Sequence, residues 1–199
     1  MIKSWRKTRA DSRRWAAAQS LPDLANLMAL WCEGELSMWP GHPAPADPET
    51  SPLTHTLAAA NRAGFLTDQS QPGSDSLGYD GLRWQQRAAV SGWIADEQLL
   101  TQIRHAGEAA GLLVLISHPR LIPHGQGAIC TIRDGRPYTR FGGHLPAHAL
   151  LHLWPSISRQ ALDQVVDAWQ VCLIDPDIGR NDRLWPLLND LFATDPTTA

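Results

Sequence analysis

A chain of 199 residues, 43% hydrophobic and 19% charged, is long enough to bury its own core and too apolar to stay disordered. Its formal net charge of −3 gives the body no basic surface of the kind that coats nucleic acid. No run approaches the roughly 20 apolar residues of a membrane span, and residues 1–7 lack the apolar segment of a secretory leader, so the expectation is a cytoplasmic protein with no membrane partner.

From the N-terminus, residues 1–14 hold Lys3, Arg6, Lys7, Arg9, Arg13 and Arg14 against the single acid Asp11, and read as a basic arm on an acidic body. Residues 15–192 read as one domain. Leu24, Leu27, Met28 and Trp31 recur at helical spacing after Ser20, a residue type that caps helices. A proline-rich connector follows over 39–48, then a helix over 52–63 that Gly64 ends. Residues 65–71 and 84–94 alternate as strands, and residues 71–81 between them read as loop. Asp96 opens a helix to about 110, followed by a buried strand over 112–117. Asp134-Gly135 turns a hairpin over 127–142. Ser158 caps a helix to about 169, residues 171–175 form an apolar strand, and Asp182 opens a last helix to 192. Residues 193–199 read as a frayed tail. Two adjacent strands plus a hairpin argue for an α+β fold: a single mixed or mostly antiparallel sheet flanked by helices, without strict βαβ alternation.

Cys32, Cys130 and Cys172 are scattered and odd in number, which supports neither a disulfide framework nor a zinc site and fits a reducing compartment. Nine Trp against three Phe and two Tyr is an unusual balance. Trp joins a large apolar body to an N–H donor, so it serves in cores and in ligand walls alike.

The densest chemistry lies in the two central strands. Asn61, Thr67, Ser70, Gln71, Gln86 and Arg87 crowd hydrogen-bonding side chains between apolar neighbours, with Gly64, Pro72, Gly73 and Gly92 as punctuation. Such packing points to a polar pocket. The Arg87 guanidinium offers a rigid fork of donors for a carboxylate or phosphate, and Gln amides present both donors and acceptors. Pro72-Gly73 would turn the chain and leave backbone N–H groups open at the mouth. The competing reading pairs Arg87 with an internal acid, such as Asp75, Asp80 or Asp175, because a buried unpaired guanidinium is costly.

Further along, Asp175 follows an apolar strand and reads as a general base, a metal ligand or a turn cap. Arg180 reads as an anion contact, and His118, at a strand end, as a general base. His144, His148 and His152 recur every four residues, but Pro146 interrupts the repeat and no metal set is complete. Cys130 reads as an inert core thiol.

The motif Asn61-x-x-Gly64-Phe65-x-Thr67-x-x-Ser70-Gln71-Pro72-Gly73, followed by Gln86-Arg87-x-x-Val90-x-Gly92, resembles a family of uncharacterised bacterial proteins found mainly in high-GC Gram-positive species. Leu30-Trp31-x-Glu33-Gly34 and Asp175-Pro176-x-x-Gly179-Arg180-x-Asp182-x-Leu184-Trp185 look like the same family. The resemblance spans roughly residues 15–192 and implies a grouping without a mechanism.

Three functional readings remain. The leading one is a domain that binds or senses a small anionic or nucleotide-like ligand through the pocket around the two central strands. The second is a hydrolase or transferase on a nucleotide-like or amide substrate, with Arg87 orienting an anion and His118 or Asp175 as base. The third is a nucleic-acid or protein adaptor working through the basic arm; of these partners, nucleic acid ranks below a small ligand. No cofactor is called for, and nothing in the sequence sets the oligomeric state.

Overall fold

β3 (Arg83–Ile94) is the strand around which the molecule is built. Its alternation sends Ala88, Val90 and Ile94 to one apolar cluster, and Ala89 and Trp93 to two others on the opposite face. The computed structural model describes residues 2–121 and 126–193. Within them β3 pairs along one edge with β1 (Leu66–Gln71) and β2 (Ser74–Leu77). Along the other it pairs with β5 (Ala128–Arg133) and β7 (Trp169–Ile178). β4 (Leu113–Ser117) extends the sheet beyond β7, and β6 (Arg136–Phe141) extends it beyond β5. Every ladder is antiparallel and the sheet does not close, so the chain is an α+β fold.

Seven helices flank this sheet among the described residues: α1 (Ile2–Ala17), α2 (Leu21–Cys32), α3 (Thr54–Arg62), α4 (Glu97–Ala109), α5 (Ala147–Leu153), α6 (Arg159–Val166) and α7 (Leu184–Phe192). The Ser20, Asp96 and Ser158 side chains each accept a first-turn N–H, from Asp23, Leu99 and Ala161. α3, α4 and α7 cover one face over Phe65, Val90, Ile94, Val171 and Leu173. α1, α5 and α6 cover the other around a tryptophan cluster, where Trp154 lies 5.1 Å from Trp39, 6.0 Å from Trp93 and 6.1 Å from Trp15. α2 bridges the two clusters at the β1 edge.

Three segments differ from the sequence expectation. Residues 74–77 form β2, because the long β3 leaves its first residues an open edge that even Ser-Asp-Ser can pair with. Residues 147–153 form α5, for which Pro146 is the N-cap, so the proline starts the helix that it was expected to interrupt. The basic stretch is part of α1, which docks through buried Trp15 and Asp11. The Asp11 carboxylate accepts the Ser37 N–H at 2.9 Å and its hydroxyl at 2.6 Å, and the Trp15 indole donates to the Met38 carbonyl.

Candidate functional site

The turn from α3 into β1 sets the site. Gly64 holds φ at +100°, a conformation that L side chains avoid, and swings the chain back over α3. Asn61, buried at the end of α3, then clamps β1: its Nδ2 donates to Thr67 Oγ1 at 2.7 Å and to the Leu57 carbonyl, and its Oδ1 accepts the Thr67 N–H. Gly92 faces this clamp from β3, where a Cβ would collide with the Leu66 carbonyl.

One residue later β1 bulges. Thr67 stands opposite Gly92 and Gln69 opposite Ser91, so Asp68 has no partner of its own in β3. The bulge re-aims the Asp68 carboxyl into a hollow of about 530 Å³. Residues 67–71 of β1 form its floor, with Thr139, Arg140 and Phe141 of β6 on one side. Trp31 of α2, and Trp39 and His42 of the proline-rich loop, stand on the other. That loop is fixed by the Trp31 indole, which donates to the Ala44 carbonyl at 2.9 Å, and by Trp39 against Trp154.

A few polar groups on this wall keep spare hydrogen-bonding capacity. Asp68 Oδ1 accepts the Ser91 hydroxyl at 2.9 Å, and the carboxyl has no other side-chain partner among the described residues. Ser70 makes none through its hydroxyl, and Thr139 Oγ1 is buried without a partner. Arg140 is exposed, forms no ion pair among the described residues, and reaches only the Gly127 carbonyl at 3.4 Å. Desolvation lifts the Asp68 carboxyl from 3.8 to about 6. The Ser91 hydroxyl and the nearby N–H groups of Gln69 and Asp68 temper that rise.

The expected site residues divide around this hollow. Thr67, Ser70 and Gln71 line it. The Gln71 amide, though, is committed to bracing: Nε2 donates to the Arg87 and Cys130 carbonyls, and Oε1 accepts the Thr131 hydroxyl. Asn61 stands behind the floor as the β1 clamp. Arg87 is not on the lining. It meets no acid either: Nε donates to the Pro176 carbonyl at 2.9 Å and Nη1 to that of Ile129 at 2.6 Å, tying the β7 bulge to β5. Gln86 is half-buried on β3 opposite Thr131, its carbonyl accepting the Gly179 N–H.

The end of β7 and the loop after it form a second polar cluster, largely tied to itself. The Asp175 carboxyl is buried; Oδ1 caps its own turn by accepting the Asp177 N–H and stands 3.5 Å from Arg183, and Oδ2 has no partner. Arg180 grips Asp182 with two bonds, of 2.6 and 2.9 Å, which holds Asp182 down at about 2 and raises the guanidinium. The Gly73 N–H, expected open at a pocket mouth, donates to Asn181 Oδ1, and Asn181 Nδ2 returns a bond to the Gly73 carbonyl. His118 closes the turn after β4: Nδ1 accepts the Arg120 N–H, Nε2 donates to the Asp167 carbonyl, and the ring rests edge-on against Trp169.

His148 and His152 are exposed on α5, and His124 lies outside the described residues. Among the described residues no group of three or more His, Cys, Asp or Glu is placed to hold a metal, and no helix is long and apolar enough to cross a membrane. The three thiols are free and buried, with Cys32 pushed up to about 12 and Cys130 to about 11 by desolvation.

Sequence reasoning missed Asp68, Thr139, Arg140, Trp39 and His42. Asp68 carried one signal, an acid in the middle of a strand between a Leu-Thr pair and Gln69-Ser70-Gln71. The others reach the hollow only through folding.

Fold and site together describe an α+β fold with a polar hollow beside β1. Residues 10–195 match the family described as a domain of unknown function (DUF6919), and the chain belongs to that family. No protein of curated function matches the chain.

Proposed function

We propose that the chain is a binding or sensing domain for a small nucleotide-like molecule, held in the hollow over β1. The observation that carries this reading is a hollow of mixed lining, in which the half-buried Asp68 and Ser70 keep hydrogen-bonding capacity beside the apolar Trp31, Trp39, Leu57 and Phe141, with Thr139 Oγ1 buried and partnerless among the described residues nearby. A few polar groups with spare capacity on a partly apolar concave surface are the usual mark of a ligand's place. The volume lies within the roughly 300–1,000 Å³ of small-molecule sites. Trp31, Trp39 and Phe141 offer surfaces for a flat ring, β1 offers a hydrogen-bonding edge, and Arg140 offers a cation at the rim for an anionic group. Free, buried thiols support a reducing compartment, and with the motif resemblance they favour a bacterial cytoplasm.

Calorimetry and thermal shift against mononucleotides and nucleosides test this. A binder should raise the melting temperature. Thr139→Val together with Ser70→Ala should weaken that binder about tenfold while leaving the protein folded. Ligands that bind and are indifferent to both substitutions, or the absence of any binder across the panel, would defeat the reading.

A further inference from the structure

We propose that Asp68 selects the ligand of this hollow: the group that reaches the floor is an N–H donor, such as an amidinium, a guanidinium or the amino-bearing edge of a heterocycle, and not a carboxylate, phosphate or bare carbonyl. The inference rests on the hollow being the ligand site. It adds which chemical edge enters first.

Bulge geometry places Asp68 there. A bulged residue has no cross-strand neighbour, so its side chain is not claimed by the ladder. Ser91, directly beneath, fixes Oδ1 and so fixes the plane of the carboxyl. Beyond the nearby Gln69 and Asp68 N–H groups, the carboxyl keeps acceptor capacity in a preset direction. Asp68 forms no ion pair among the described residues, although the chain pairs carboxylates readily elsewhere. Met28, Leu57 and Phe141 line the same hollow and lower its polarity. An acceptor-only group in such surroundings is satisfied by a donor, and best by a charged one. An incoming anion would face repulsion there, so any anionic part of the ligand belongs at the rim by Arg140.

The neighbouring ionisable groups do not supply that donor. Cys32 on α2 and Cys172 on β7 stay protonated thiols, both raised by burial. His42 turns Nε2 to the Pro45 carbonyl, 3.1 Å away. Asp47 of the same loop is a second acid, and Arg140 on β6 is exposed. Because desolvation holds the Asp68 carboxyl near 6, protonation in mildly acid solution turns the acceptor into a neutral acid and releases a cationic donor.

The test uses three probes of one shape on the full chain: benzamidine, which carries donors only; benzamide, one of each; and benzoate, acceptors only. Binding is read by NMR titration. Benzamidine should bind about tenfold tighter than benzamide, with benzoate weakest. Asp68→Asn, which keeps the shape and the Ser91 contact, should erase that order in a protein with an intact melting transition. Wild-type affinity for benzamidine should fall as pH is lowered through about 6, and the Asn variant should show no such step. Benzoate binding as well as benzamidine, or an order that survives Asp68→Asn, overturns the inference and leaves the hollow as a ligand site. Failure of all three probes to bind removes the inference.

Discussion

Two polar clusters compete for the role of binding site, and they differ in what their hydrogen bonds are doing. The end of β7 and the loop after it gather Asp175, Asp177, Arg180, Asp182 and Arg183, and with Arg87 alongside this is the more charged of the two. Nearly all of those groups are committed to one another or to backbone. The hollow over β1 holds fewer charges, yet Asp68, Ser70 and Thr139 keep hydrogen-bonding capacity open. Charge density therefore marks where the chain is tied together, and spare hydrogen-bonding capacity beside empty volume is the ground on which the hollow, and not this loop, is proposed as the ligand site.

The sharpest way to test that contrast is to remove a member of the bracing set. Arg87→Met strips the donor from the Pro176 and Ile129 carbonyls, and Asn61→Ala removes two bonds with Thr67 at the start of β1 and one to the Leu57 carbonyl of α3. Each should cost about 2–4 kcal/mol, read as a lower denaturant midpoint with an unchanged slope. A loss of ligand binding by Arg87→Met at full stability would reverse the assignment of the two regions.

Asp68→Asn should move stability the other way. A carboxyl whose folded value, about 6, lies above its ordinary 3.8 favours the fold while protonated; that contribution is present below about 4 and lost as pH rises towards 6. The Asn variant should therefore be more stable than wild type by about 1–3 kcal/mol at pH 7–8, with the difference closing near pH 4. Melting curves across that range decide it. Equal stability at both ends would mean that the Asp68 carboxyl is well solvated.

Thr139→Val removes a buried hydroxyl that has no partner, so it should leave stability unchanged or raise it by about 1 kcal/mol while weakening the ligand. Arg180→Ala should do least. Its pair with Asp182 is exposed, and the melting temperature should stay in place at ordinary salt. A clear drop would show that the loop after β7 depends on that ion pair.

The sequence disclosed the central pair of strands and the polar residues on them, because period-two alternation and Gly/Pro punctuation are local signals. It disclosed Thr67, Ser70 and Gln71 as neighbours of a hollow. It could not separate Asn61, Gln71 and Arg87 as braces from their neighbours, since the carbonyls they hold belong to residues up to 89 positions away, as Arg87 does with Pro176. Asp68 escaped notice because a bulge depends on how two strands register, which neither strand records alone.

What the chain determined by itself is therefore its elements: caps at Ser20, Asp96 and Ser158, a turn at Gly64, alternation along β3, and an α+β class. What only the tertiary structure decided is which polar groups are left open. That outcome depends on whether each donor meets an acceptor across the fold, and a distance of that kind comes into being only when β1, β6 and the tryptophan-anchored loop close around the same space.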